Sequence, residues 1–275
     1  METVPISILM SIYKNEKPEY LIDTMESILR QTIQPEEIFL VKDGPLTLEL
    51  DEVIDEYKRK LGNQLSLYSL SENKGLGIAL AEGVLNCRNE LIARMDTDDI
   101  MVEDRLEVQY KLFKENPSLA IVGGNIIEFE GNVTNILGRR IVPQSNEEIR
   151  RFSKRRNPFN HMTVMYKKED IIQVGNYKPL KGFEDYYLWI RLLKQDKKAA
   201  NINKILVYAR GGKDMYSRRG GIKYLVPGLK ARKVIYREGL GSFSDFIFVS
   251  AVHSIISLLP NGIRGVIYQK RLRNK

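Results

Sequence analysis

Short apolar runs alternate with helix-spaced segments through the first hundred residues. Val4-Pro5-Ile6-Ser7-Ile8-Leu9-Met10, Glu37 to Gly44, Leu65 to Leu70 and Glu90 to Met95 predict strands. Tyr20 to Arg30 places Leu21, Ile22, Met25, Ile28 and Leu29 at helical spacing, and Leu50 to Leu61 and Gly77 to Asn86 predict two more helices. Such alternation implies right-handed βαβ crossovers and a mostly parallel sheet. Sheets of this type bind ligands beyond the carboxyl ends of their strands. Tyr13, Asp43, Lys74 and Asp96 each follow a predicted strand. The pattern alone therefore converges on one nucleotide-like site.

After Ile100 the pattern changes. Glu103 to Glu115 predicts a helix stopped by Asn116-Pro117, Leu119 to Gly124 a strand, and Ile126 to Ile141 a hairpin or meander through Gly131-Asn132. Ser145 caps a short helical segment, Met162 to Tyr166 reads as a strand, and Asp185 to Lys194 as a helix with Tyr187, Leu188, Trp189, Leu192 and Leu193 on its apolar face. Asp245 to Leu259 is apolar for most of its length and is broken by Pro260-Asn261-Gly262. The expected division is a body of residues 1–240, with a nucleotide-binding half (1–100) and an acceptor half (101–240), followed by a basic amphipathic segment, 241–275.

Composition sharpens this picture in two places. The single cysteine, Cys87, excludes an internal disulfide and fits a reducing cytosol. No leader-like pattern opens the chain, and no apolar stretch reaches the ~20 residues of a spanning helix. The net charge of +8 is uneven: residues 201–275 carry 15 Lys/Arg against 3 Asp/Glu, so the body is slightly acidic. A basic segment of this kind seeks an anionic partner. Next to the apolar run, that partner is expected to be the inner membrane surface, each cation adding about 1 kcal/mol on anionic lipid. A core or oligomer helix is the other reading of the run.

The chemistry concentrates in Asp96-Thr97-Asp98-Asp99, at the end of a buried strand. Carboxylates clustered there repel one another and lose solvation, a cost that a divalent cation and phosphates relieve. Hard oxygen ligands suit Mg²⁺ or Mn²⁺. The structural alternative is a helix cap at Asp98 or Asp99. Glu184-Asp185 opens the Trp189 helix. Acids favour a first helical turn, and a carboxylate there also serves as a general base. Asn73-Lys74-Gly75-Leu76-Gly77 is a glycine-rich turn without the spacing of a P-loop. Arg210 to Gly221 reads either as a solvated loop or as a flap in which Arg218 and Arg219 clamp a diphosphate. His161 precedes a strand near this chemistry, whereas His253 reads as a packed residue.

Taken in order, Ile6 to Tyr13, Ser27 to Thr32, Val41-Lys42-Asp43-Gly44, Asn73-Lys74-Gly75, Ala93 to Asp99 and Glu184 to Trp189 resemble the family 2 glycosyltransferases of the GT-A fold. Val207 to Gly221 is similar to the bacterial polysaccharide subgroup that includes amylovoran-biosynthesis transferases. The resemblance implies a Rossmann-like nucleotide-binding half, a mixed-sheet acceptor half and an inverting transfer from a UDP-sugar with Mn²⁺ or Mg²⁺. The basic apolar tail suggests the acceptor, a glycan or lipid-linked oligosaccharide, met by a cytoplasmic protein peripheral at the inner face of the membrane. The resemblance places Ser11, Tyr13, Asp43, Lys74, Asp96 and Thr97 at the nucleotide, Asp98 with Asp96 at the metal, and Asp185 as base with Glu184 beside it. Ser11 stands where many relatives carry proline. Two other classes compete. A sugar nucleotidyltransferase wants a basic, glycine-rich loop that Met10 to Asn15 does not supply. A nucleic-acid-binding module wants an aromatic stacking platform that the tail lacks, so no nucleic-acid partner is expected.

Overall fold

Buried β-branched and aliphatic residues on both faces of the first strands force them into the middle of a sheet. The computed structural model describes residues 2–212 and 220–260. Strand β1 (Thr3–Ile12) lies between β2 (Gln34–Lys42) and β4 (Leu91–Arg94), both parallel to it, with Ile8 opposite Ile38 and Ala93. Strand β3 (Leu65–Ser69) extends the parallel set beyond β2. The crossovers are α1 (Pro18–Leu29), α2 (Leu48–Leu61) and α3 (Leu76–Asn86). Pro18 sits in the first turn of α1, where a missing N–H costs nothing, and Thr47 caps α2 through the amide of Leu50.

The second half turns the sheet mixed, as expected. After β5 (Ile100–Met101) and α4 (Arg105–Glu115), β6 (Leu119–Glu130) and β7 (Asn132–Arg140) form the anticipated hairpin around Gly131. Next come α5 (Asn146–Ser153), β8 (Met165–Lys167), α6 (Lys168–Gln173), α7 (Glu184–Lys194) and β9 (Lys198–Arg210). The strand order is β3-β2-β1-β4-β8-β6-β9-β5, with β7 on β6. Strand β8 runs antiparallel between β4 and β6, and so joins the two halves in one sheet. The stretch Met162 to Tyr166 is a single 3₁₀ turn (His161–Thr163) followed by β8 rather than one strand. Strand β9 was not legible. Its Lys and Asn residues break the apolar run, yet Asn201 is buried and its amide nitrogen donates to the carbonyls of Pro143 (2.6 Å) and Pro158 (3.1 Å), which offsets part of the cost while Oδ1 has no partner among the described residues.

Each face of the sheet carries its own core. Ile6, Ile8, Met10 and Ile12 of β1 pack with Leu21, Met25 and Ile28 of α1. Leu9 points to the other face, among Leu80 and Val84 of α3 and Leu188 and Trp189 of α7. Helix α3 approaches β1 so closely that a Cβ on Gly83 would lie 2.2 Å from Leu9 Cδ1.

The described chain ends in two helices, α8 (Ile222–Arg237) and α9 (Phe243–Leu258). Helix α8 was not anticipated, because Pro227 interrupts its pattern. Its Gly228 faces His253 of α9, where a Cβ would stand 2.0 Å from the imidazole Nε2, so His253 is a packed residue. The Arg218/Arg219 flap and the basic segment Arg264 to Lys275 lie outside the described residues.

Candidate active site

The carboxyl ends of β1, β2 and β4 open side by side into a cleft of about 510 Å³. Ser11, Tyr13, Asp43, Asp96, Thr97 and Asp98 all line it, so the fold gathers these from three separate strand ends. Lys74 is the exception: its side chain lines a neighbouring cleft. Both carboxylate oxygens of Asp43 accept backbone amides, from Lys74 (2.7 Å) and Gly75 (3.0 Å), so Asp43 pins the turn that starts α3. Gly44 permits this approach, with φ +87° and room for only a hydrogen beside Asn73 N. Tyr13 presents an exposed ring at the cleft rim.

The acids after β4 do not cap a helix. Asp99 leads into β5, and the next helix begins only at Arg105. Ligand oxygens of Asp96, Asp98 and Asp99 lie within 4.8 Å of one another. Burial, reinforced by Asp96 and Glu16, pushes the Asp98 carboxyl up to about 7. Burial, then Asp98 and Asp96, also holds Asp99 well above the usual carboxylate range. Thr97 donates to Glu16 Oε2 at 2.9 Å, tying the loop after β1 to the acids.

Two arginines that the sequence reading did not assign to the site build the cluster. Arg94, 2% exposed, pairs with Asp96, while its Nε and Nη1 find no hydrogen-bond partner. Arg210 closes the other side. Its amide donates to Asp99 Oδ1 (2.7 Å), its Nε to the Asp98 carbonyl (2.9 Å) and its Nη2 to Asp23 (2.8 Å). The guanidinium is sandwiched by Tyr20 and Phe129, at 4.0 and 4.8 Å from their centroids. Even so, Asp99 Oδ2 stays buried without a partner. Mutual repulsion that Arg94 offsets only in part, an orphan carboxylate oxygen and an all-oxygen donor set together fit a hard divalent cation held by Asp98 and Asp96, with Asp99 adjoining.

The other acid pair opens α7. Asp185 Oδ2 accepts Asn157 Nδ2 at 2.6 Å, which orients the carboxylate. Burial raises the pKa of Asp185 against the lowering effects of the Tyr186 amide, Asn157 and Arg140. Burial also raises Glu184, with Asp185 adding to it. The field of Arg94 reaches Asp96, Asp99 and Asp185 alike, so this one buried cation links the two acid groups. His161 goes elsewhere: Nε2 meets Tyr177 Oη at 2.9 Å, the ring packs on Trp189, and burial, then Arg94, keeps it neutral. Asn157 carried no signal in the sequence. Arg94 carried one that was passed over, a cation closing an otherwise apolar strand.

An α/β sheet with acids and a nucleotide-sized cleft at its carboxyl edge defines a nucleotide-dependent group transferase. Residues 7–174 match the family model of glycosyl transferase family 2. The chain belongs to that family. It is 44% identical over 267 residues to an uncharacterized glycosyltransferase of Haemophilus influenzae, covering 97% of this chain and 98% of the relative. It is 37% identical to a UDP-Gal:alpha-D-GlcNAc-diphosphoundecaprenol beta-1,3-galactosyltransferase of Escherichia coli, covering 99% and 98%. The amylovoran biosynthesis glycosyltransferase AmsE of Erwinia amylovora is 34% identical, covering 96% and 98%. Among solved structures, TarS 1-349 of S. aureus in complex with UDP superimposes with a TM-score of 0.63 at 19% identity, covering 91% of this chain and 71% of that one. The mannosyltransferase PcManGT of Pyrobaculum calidifontis, in complex with GDP-Man and Mn2+, gives 0.64 at 14%, covering 94% and 71%. These two likenesses establish the GT-A type of fold.

Proposed function

We propose that this glycosyltransferase moves a hexose, galactose, glucose or an N-acetyl relative, from a UDP-sugar to a lipid-linked glycan in cell-surface polysaccharide biosynthesis. Inversion at the anomeric carbon makes the new bond β. The observation that carries the reading is the pairing of a cation-seeking acid cluster with an oriented, burial-raised carboxylate, Asp185, around one buried arginine. The names of the Escherichia coli and Erwinia amylovora relatives support the donor and acceptor classes. Family membership favours sugar transfer over nucleotidyl transfer.

In this reading Tyr13 lies against the base, Asp43 meets the uracil edge with lone pairs its two amide bonds leave free, and Asp96 faces the ribose. Mn²⁺ or Mg²⁺ on Asp98 and Asp96 would neutralise charge on the diphosphate. Asp185 takes the proton of the acceptor hydroxyl. That oxygen bonds to the anomeric carbon as the bond to the β-phosphate oxygen breaks, and UDP leaves with the electron pair. A pKa raised by burial makes Asp185 a stronger base than a solvated aspartate, and the Asn157 contact fixes its direction.

The setting we propose is the inner face of the membrane, reached through α9. This helix is inverted: its buried residues are Asp245, His253 and Ser257, while Ile247, Phe248, Ile255 and Leu258 are 49–63% exposed. No helix among the described residues is long and apolar enough to cross a membrane. An apolar face beside a basic segment suits the headgroup interface.

Thermal-shift titration with UDP, GDP, dTDP and CMP, each with Mn²⁺ or with EDTA, tests the donor. UDP alone is expected to stabilise, by about 2.7 kcal/mol at a hundredfold excess over Kd, and only with metal. Stabilisation by GDP instead, or by UDP equally in EDTA, would overturn the assignment.

A further inference from the structure

A second cleft, of about 910 Å³, adjoins the first, and Asn73, Gly75 and Leu76 line both. Its wall carries Lys74, Lys181 and Lys223 against a single acid, Glu184. None of the three lysines makes an ion pair or side-chain hydrogen bond among the described residues. They come from three distant stretches of chain, so the charge accumulates through the fold and not through one basic run. The first turns of α3, α7 and α8 also face this space, and none of the three has a side-chain cap. At α7 the Glu184 carboxylate itself accepts amides of the helix start, so the positive potential added to that of the lysines comes from the starts of α3 and α8.

We infer that this cleft binds the diphosphate of a lipid-linked acceptor, with Lys181 and Lys223 as its cationic contacts. The inference rests on the lipid-linked acceptor reading above and adds the group that is recognised and the place. Glu184 lines this cleft and precedes Asp185 in the chain. In this reading a sugar joined directly to a diphosphate held here extends toward the start of α7, the turn that carries Asp185. Ile222 and Val226 lie one turn apart on α8, next to the face that carries Lys223 and Pro227, and are 71% and 43% exposed. They give the attached hydrocarbon an apolar route toward α9.

A diphosphate also belongs to the donor, so the test separates the two sources. Geranyl diphosphate, with geraniol as its uncharged match, is titrated calorimetrically into the full chain saturated with UDP and Mg²⁺. The diphosphate is expected to bind without displacing UDP, and geraniol to bind at least roughly tenfold more weakly. The double variant Lys181→Ala/Lys223→Ala should weaken the diphosphate by roughly tenfold or more and leave UDP affinity unchanged. Displacement of UDP would assign the anion to the donor cleft, and equal binding of geraniol would assign recognition to the chain; either overturns the inference. Unaltered diphosphate binding by the double variant overturns it as well. Should UDP fail to bind wild type, the donor reading falls, and lysine dependence of diphosphate binding without UDP still decides this one.

Discussion

The sheet half and the α8–α9 hairpin use the same residue types in opposite ways. In the sheet half apolar side chains go in: Ile6, Ile8, Leu9 and Met10 of β1 are fully buried between helices. In α9 polar residues go in. Asp245 is held by the Ser242 capping box and by Arg155 Nε at 2.6 Å, while the apolar face looks out. One half is stabilised by hydrophobic burial; the last helix is docked by hydrogen bonds and charge together with ring contacts to α8, among them Phe246 stacked on Tyr236 at 4.9 Å. Among the described residues nothing covers the apolar surface of α9 at Ile247, Ile255 and Leu258, which is the face on which the membrane contact proposed above rests.

The largest expected effect lies in the chemistry of the body. Asp185→Asn keeps the Asn157 side chain within reach but removes the proton acceptor. It should cut kcat by about 10² to 10⁴-fold while the metal-dependent thermal shift with UDP is retained. Equal loss of UDP binding would make Asp185 structural. Such a result would also erase the division of labour between the acid cluster and α7.

Asp98 gives the next effect, and its sign follows from linkage. The folded state holds this proton to about pH 7, whereas the unfolded chain releases it near the ordinary aspartate value of 3.8. The folded state therefore binds more protons between these values, and stability falls as pH rises through that window. A divalent cation replaces the proton, so stabilisation by Mn²⁺ should be larger at pH 8 than at pH 5.5. Asp98→Asn should raise metal-free stability at pH 8, on the order of 2 kcal/mol, and abolish the Mn²⁺ response. A Tm that is indifferent to pH, with a Mn²⁺ response that survives the substitution, would count against the ligand assignment.

The inverted helix predicts a dissociation of fold from location. Ile247→Glu/Ile255→Glu alters only exposed positions, so Tm should move by less than roughly 1 kcal/mol in equivalent stability. Binding to vesicles of anionic lipid should drop by about tenfold or more, because the lost apolar contact is joined by repulsion. Vesicle binding unchanged from wild type would remove the membrane role of α9. A large Tm loss would mean that this face is covered within the protein.

How much was legible follows the same division. The parallel half was readable because burial on both faces leaves uninterrupted apolar runs, and because acids after a strand are costly enough to stand out. Ser11, Tyr13, Asp43, Asp96, Thr97 and Asp98 line one cleft, whereas Lys74 lines its neighbour. What escaped was everything whose cost is cancelled by a distant partner. The amide nitrogen of Asn201 in β9 is satisfied by two carbonyls from other segments. Arg210 looked like the start of a basic loop, and only the fold sets it against Asp98, Asp99 and Asp23. Lys74 follows its strand as read, but its backbone serves Asp43 while its side chain enters the second cleft.

The smallest effect tests the docking of α9 itself. Ser242 Oγ accepts the Asp245 amide and Asp245 returns a bond to the Ser242 amide at 3.0 Å, so one pair closes the helix start. Hydrogen bonds from Ser242, and then Arg155, hold the Asp245 carboxyl down at about 2. Its stabilising effect is present above the ordinary aspartate range and fades as pH falls toward 2. Ser242→Ala should cost about 1 kcal/mol at neutral pH, and clearly less once Asp245 is protonated. Leu9→Ala in the sheet half should cost about 2–5 kcal/mol at both pH values, since a cavity does not titrate. If Ser242→Ala proved as costly as Leu9→Ala, or insensitive to pH, α9 would be held by burial after all. Its exposed apolar face would then need another explanation.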